Sequence, residues 1–188
     1  MFNWRGVLST DAILANCIEG LKALCIQPYD EINKKLGNQW EASRLLTVNS
    51  TDPIYSVIVT GSLPVDLKSR VLGYDGIGVI GRIYKNPTYT GGASDKLYNM
   101  RPDLVDTSPQ LQLLSSPTVT DVGQQCGADI YGVGPSSNQS RGATPQHFGS
   151  NRILIEPNTA YLLEIVPRDS ASQTIMARIE LYEGELDV

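Results

Sequence analysis

The residues able to do chemistry are few and poorly spaced for it. The single histidine, His147, has no Cys, Asp or Glu at metal-ligand spacing and lies in a polar stretch, residues 134–150, rich in Gly, Ser and Pro. It reads as a solvated loop histidine. A Ser-His-Asp triad would need a framed serine, and no Gly-x-Ser-x-Gly elbow occurs. Carboxylates at Glu180, Glu183, Glu185 and Asp187 have the chemistry of a glycosidase pair, but three of them crowd the last residues, where a solvated acidic tail is expected. The glycines across residues 73–81 lack the Lys-Ser/Thr end of a phosphate loop and precede no helical pattern, so they read as strand glycines, with Gly78 and Gly81 marking a bulge or a close backbone approach. Cys17, Cys25 and Cys126 have no metal spacing, and an odd count does not fit a disulfide framework, so reduced, buried thiols are expected. No catalytic residue, metal or cofactor is expected, and the chain does not read as an enzyme.

Composition narrows the remaining classes. A formal net charge of −5, with 15 Lys and Arg scattered along the chain, argues against a nucleic-acid partner, because phosphate binding needs clustered cations. No run approaches the ~20 apolar residues of a membrane-spanning helix, and the first residues lack the apolar core and cleavage site of a secretory leader. A protein soluble where it is made, with no membrane partner, is the expectation. Hydrophobic content of 41% supports one packed core, and 17 Gly, 11 Pro and 9 Tyr fit many turns between half-buried strands.

The elements that would carry any site are mostly strands. Ser9, Thr10 and Asp11 form a candidate N-cap, and Ile13, Leu14, Cys17, Ile18, Leu21, Leu24 and Cys25 recur at three and four residues, which predicts an amphipathic helix weakened by Gly20. A second short helix is expected over residues 29–36, with Pro28 before it, Lys34 and Lys35 in its last turn and Gly37 as its stop. Residues 1–38 thus read as a helical appendage and residues 39–188 as a β-domain. Extended runs follow at residues 45–48, 54–59, 65–70 and 77–84, where Val65, Leu67 and Ser69 alternate with Asp66, Lys68 and Arg70. A turn-rich loop begins at residue 86, and further strands are expected near residues 111–114, 119–122 and 129–133. The last stretch contains three strands, at residues 152–156, 161–166 and 175–182; the short connections between them predict three neighbours in one sheet. Eight to ten strands at this spacing predict a mainly β fold, a jelly-roll-like antiparallel β-sandwich with a short N-terminal helical segment.

Three blocks carry a resemblance. They are residues 60–70 (TGSLPVDLKSR), residues 84–92 (YKNPTYTGG) with Tyr98-Asn99, and residues 152–163 (RILIEPNTAYLL) with Tyr182-Glu183-Gly184. Together they resemble small structural proteins of tailed bacteriophages encoded among head-assembly genes. The resemblance covers residue 40 onward and implies a virion component, a capsid decoration or cement protein that binds the major capsid protein on the head surface. It also implies a symmetric homo-oligomer, a trimer by preference, assembled in the host cytoplasm. Contacts are then expected from Ile13, Leu14, Ile18 and Leu21 on the first helix and from Tyr89, Leu97, Tyr98 and Arg101 in the loop, because aromatic and Arg side chains anchor interfaces. A tail or fibre component binding the host surface is the alternative, and a carbohydrate-active enzyme a remote one.

Overall fold

A computed structural model describes residues 14–17, 24–27, 29–104, 108–133, 142–144 and 152–184. In chain order the elements begin with β1 (Leu14–Cys17), β2 (Leu24–Gln27), α1 (Tyr29–Leu36), β3 (Gln39–Val48), β4 (Ile54–Val59), β5 (Val65–Tyr74) and β6 (Gly78–Lys85). Shorter strands follow: β7 (Thr88–Thr90), β8 (Ala93–Asp95), β9 (Tyr98–Asn99), β10 (Gln112–Ser115), β11 (Thr118–Asp121) and β12 (Gln124–Gln125). The last are β13 (Ile130–Val133), β14 (Gly142–Thr144), β15 (Ile153–Ile155), β16 (Ala160–Pro167) and β17 (Gln173–Glu183). The expected jelly-roll-like antiparallel sandwich is formed. A seven-stranded sheet, β12-β6-β16-β4-β10-β8 with β13 also on β6, faces a six-stranded sheet, β14-β5-β17-β3-β9 with β15 also on β5.

Three expectations need correction. The first helix is not formed: β1 and β2 pair antiparallel, from Leu14↔Gln27 to Cys17↔Leu24. Asn16, Cys17 and Cys25 are weak helix formers and Gly20 weaker still, so hairpin pairing overrides the three- and four-residue apolar spacing. The second helix, α1, has the predicted limits.

The last three strands are not neighbours. β15 and β17 both flank β5 in the six-stranded sheet, whereas β16 lies between β4 and β6 in the other. The Pro157-Asn158 turn, with Asn158 at φ 51°, is present, but it carries the chain across the sandwich instead of back along one sheet. Thr60 fastens that crossing: its hydroxyl donates to the Glu156 carbonyl at 2.7 Å and accepts from the Thr159 amide at 2.9 Å.

The third concerns Gly78 and Gly81, where of the two expectations, a bulge or a close backbone approach, the second holds. Gly78 and Gly81 pair in unbroken register with β13 and, for Gly81, with β16. They serve close approach instead: a Cβ at Gly78, whose φ is +144°, would stand 2.2 Å from the Gly132 carbonyl oxygen. The bulge in the long strands is at Lys68, where Glu180 pairs with Ser69 but Leu181 pairs with Leu67. An extra residue reverses which side chains face inward. Val65 and Leu67 enter the core before the bulge, and Leu72 and Tyr74 after it. Arg70, which alternates with Val65 and Leu67 in the sequence, is therefore turned between the sheets beside Ile179, its register partner on β17.

The core has two parts. One joins Ala42, Leu67, Ile179 and Leu181 of the six-stranded sheet to Ile58, Ile83, Leu113 and Tyr161 of the other. The second joins Leu72, Tyr74 and Ile175 to Val79 and Ile130. Fully burying a side chain such as Ile175 or Leu181 stabilises the fold by about 1.5–3 kcal/mol. Between the two parts lies a polar layer in which Arg44 on β3 donates to the Ser56 hydroxyl on β4 at 3.0 Å.

Candidate functional site

The two outer faces of the sandwich differ in chemistry. Strand alternation places Leu45, Tyr98, Leu154 and Met176 on the outer face of the six-stranded sheet, because their neighbours at even spacing, or their register partners, fill the core from the opposite side. All four are exposed, at 73%, 54%, 61% and 39%. Leu45 and Met176 are direct cross-strand partners. Between them and the other two stands a charged group: Arg178 bridges Glu41 at 2.5 Å and Glu180 at 3.2 Å. From Met176 to Tyr182, the level of Leu154, the face extends about 20 Å at the usual rise per strand residue.

One edge of this sheet carries α1 and the 96–104 segment, which β9 brings to β3 through Trp40↔Asn99 and Glu41↔Tyr98. Asn99 Nδ2 donates to the Gly37 carbonyl at 2.7 Å and the Met100 amide to the Gln39 carbonyl at 2.9 Å. Arg101 donates through Nη1 to the Lys35 carbonyl at the end of α1 and pairs with Asp103 at 3.0 Å. Lys96 Nζ sits 4.8 Å above the Tyr98 ring, a cation–π contact at an exposed site. Leu36, also exposed, ends α1 here.

The expected contact residues thus separate. Tyr98 and Arg101 stand together at the α1 edge. Tyr89 lies half-buried in β7, opposite Val119 of β11. Leu97 packs against the first core cluster, so it serves the fold. Ile13, Ile18 and Leu21 lie outside the described residues, and Leu14 opens a strand, not a helix. Sequence reasoning missed Leu45, Leu154 and Met176; the signal available was an apolar residue on the polar phase of an alternating strand.

The outer face of the seven-stranded sheet carries a compact polar network that sequence reasoning also missed. The buried carboxylate of Glu164 accepts from Arg82 Nη1 at 3.1 Å and the Tyr84 hydroxyl at 3.0 Å, and Arg82 Nε donates to Asp129 at 3.1 Å. Asp129 also accepts from Gln125 Nε2 at 2.7 Å and the Tyr131 hydroxyl at 3.1 Å. Burial would raise the Asp129 carboxyl, but hydrogen bonds from Arg82, Tyr131 and Gln125 outweigh it and hold the group below its ordinary value. Burial first, and then the bond to Glu164, raises the Tyr84 phenol; Tyr55 is raised by burial and by the Glu164 charge. The arrangement holds the Asp129 carboxyl ionised and ties Glu164 to a guanidinium. It presents hydrogen-bond acceptors and aromatic edges on this face.

The other chemistry-bearing residues are structural or undescribed. Glu180 and Glu183 are buried, not part of a solvated tail, and Glu183 accepts from the Gln110 and Leu111 amides at 2.8 and 2.7 Å. Cys126 is exposed, against the expectation of burial, because the Gln124–Gln125 strand lies at the sheet edge. Burial of its sulfur still raises the thiol, against the lowering effect of Arg70 and Lys85. The side chains of Cys17 and Cys25 lie outside the described part, as do His147, Glu185 and Asp187. Among the described residues no three His, Cys, Asp or Glu side chains are grouped to hold a metal ion. Compared with known proteins, the chain matches no family model, and no curated protein or solved structure is found to be similar to it.

Proposed function

We propose that this protein is a structural component of a virion, a decoration or cement protein that docks on the head shell through the outer face of its six-stranded sheet. One observation carries the reading: four exposed apolar side chains, Leu45, Tyr98, Leu154 and Met176, share that face, whereas Tyr131 is the one large apolar side chain exposed on the opposite sheet among the described residues. Apolar groups left outside on one face are the chemistry of a protein-binding surface. The Glu41–Arg178–Glu180 group between them would set register with the partner, since rim charges steer orientation more than they add affinity. The partner is the major capsid protein, with further copies of this chain completing a symmetric oligomer, a trimer by preference. The resemblance of residues 60–70, 84–92 and 152–163 to phage head proteins gives the same assignment.

The experiment is reconstitution on heads that lack the protein. A Leu45→Glu/Met176→Glu variant keeps its core, and its binding is expected to weaken at least tenfold, a loss of about 1.4 kcal/mol or more. Undiminished binding overturns the proposed face. Copy number per particle, counted against the major capsid protein, tests the station: hundreds of copies travelling with heads are expected.

A second reading rests on the Glu164 network. Tyr55, Tyr84 and Tyr131 with Arg82 and Asp129 offer the ring edges and ionised acceptors that bind a glycan, which is the chemistry of a tail or fibre component on a host surface. Saturable binding to host cells that Arg82→Ala abolishes, together with a few copies travelling with tails, would favour it.

A further inference from the structure

We propose that the cavity between the two sheets is a binding site for a small monocarboxylate with a short apolar body, whose charge is held by Arg70. The inference is independent of the virion reading. The cavity measures about 70 Å³ and lies in the polar layer that separates the two halves of the core. One water needs roughly 10–15 Å³ on this measure, so the space holds a molecule of several heavy atoms.

The walls define the chemistry. Leu72, Leu113, Ile130, Leu163, Ile165 and Ile179 supply apolar surface from both sheets. Arg70 enters from β5 because the Lys68 bulge turns it inward, and it is only 8% exposed. Its Nε is buried without a hydrogen-bond partner, and no carboxylate among the described residues pairs with its guanidinium. The titratable group acting on it is the Cys126 thiol, and burial raises that thiol away from the thiolate form, so it does not neutralise the arginine. The other inward cation, Arg44, donates to the neutral Ser56 hydroxyl and stands 3.9 Å from Asp95. Arg82, Arg178 and Glu164 also line the cavity, but Arg82 pairs with Glu164 and Arg178 with Glu41 and Glu180, so Arg70 is the lining guanidinium left without a carboxylate among the described residues.

A buried cation without a counter-ion is costly, and a guanidinium matches a carboxylate through two parallel N–H donors. The walls exclude other anions. A phosphate dianion would leave a second charge facing leucine and isoleucine, whereas a carboxylate with a few methylenes turns its charge to Arg70 and its body to those side chains. Chloride would neutralise the charge but leave the apolar space unfilled.

Butyrate is the probe. In wild-type protein with labelled methyl groups, titration with sodium butyrate at constant ionic strength is expected to give saturable NMR shifts at Ile130, Leu163, Ile165 and Ile179. Matched sodium chloride should not reproduce them. Arg70→Met is expected to melt higher than wild type without butyrate, because it removes the buried charge, and to bind butyrate at least tenfold more weakly. Since a core replacement can itself disturb folding, the wild-type titration stands alone as a test. Shifts that are linear, confined to surface methyls or equal in chloride overturn the proposal, as does a folded Arg70→Met protein that binds butyrate normally.

Discussion

Replacing Glu183 with alanine should unfold the protein far more easily than loss of one acid near the end of a chain would lead one to expect. Its two carboxylate oxygens accept the Leu111 and Gln110 amides at 2.7 and 2.8 Å, and the residue is only 7% exposed. The contact locks the entry to β10. Gln110 in turn uses its side-chain oxygen to accept from the Ser62 amide and hydroxyl, at 3.0 and 2.8 Å, so one carboxylate organises two loops at this end of the sandwich. A hydrogen bond to a charged group contributes about 1.5–3 kcal/mol, and alanine leaves two backbone donors without an acceptor. The expected cost is about 3–5 kcal/mol. With a urea dependence of about 2 kcal/mol per molar, the unfolding midpoint falls by about 2 M. Glu183→Gln keeps one acceptor oxygen and turns an NH₂ toward the other amide, so it should lose about half as much. Equilibrium urea unfolding followed by tryptophan fluorescence reads both variants. A midpoint for Glu183→Ala within about 0.3 M of wild type, at unchanged slope, would refute the assignment of this carboxylate as a structural acceptor.

Two other outcomes follow from backbone and charge. Gly78→Ala should cost about 3 kcal/mol or more, because its φ is +144° and the new Cβ would meet the Gly132 carbonyl, whereas Gly91→Ala, at φ +66° with open space around it, should cost about 1 kcal/mol. Calorimetric melting of the pair checks the ranking; equal losses would show that φ alone decides. Asp129 is held below its ordinary value in the folded protein, so its contribution to stability is complete above the unfolded carboxyl pKa of about 3.9 and is lost as pH falls through the folded value. Asp129→Asn should flatten the decline in stability below about pH 4 while lowering stability at neutral pH, and acid titration of both proteins at fixed urea measures it.

What could be read from the sequence was local, and what could not depended on pairing across the fold. β4 and α1 have their expected limits because β-branched residues at Ile54, Val57, Ile58 and Val59, and the Gly37 stop with Lys34 and Lys35, act within a few residues. The inward turn of Arg70 could not be read from its alternation with Val65, Leu67 and Ser69, because a bulge at Lys68 is set by register with β17, more than a hundred residues away, and nothing near Lys68 announces it. The same holds for the last three strands. Turn chemistry at Pro157-Asn158 predicts that the chain reverses, but whether it returns in its own sheet or crosses to the opposite one is decided by which strands await it there. Exposed apolar side chains were legible where an aromatic stood outside the regular strand pattern, as at Tyr98. They were hidden where an exposed Leu45 looked like another core residue and where Met176 stood among polar neighbours on the outer phase of its strand.

The place of β17 has a consequence for biogenesis. It is the central partner of both β3 and β5, and the Arg178–Glu41 bridge joins residues 137 positions apart. Until residues 173–183 have left the ribosome, β3 and β5 have no partner between them, and each presents an unpaired edge able to capture another chain. Folding dominated by such distant pairing is slow and exposes aggregation-prone intermediates. An incomplete chain would then be a substrate for chaperones or proteases, and synthesis itself would act as quality control on which chains fold.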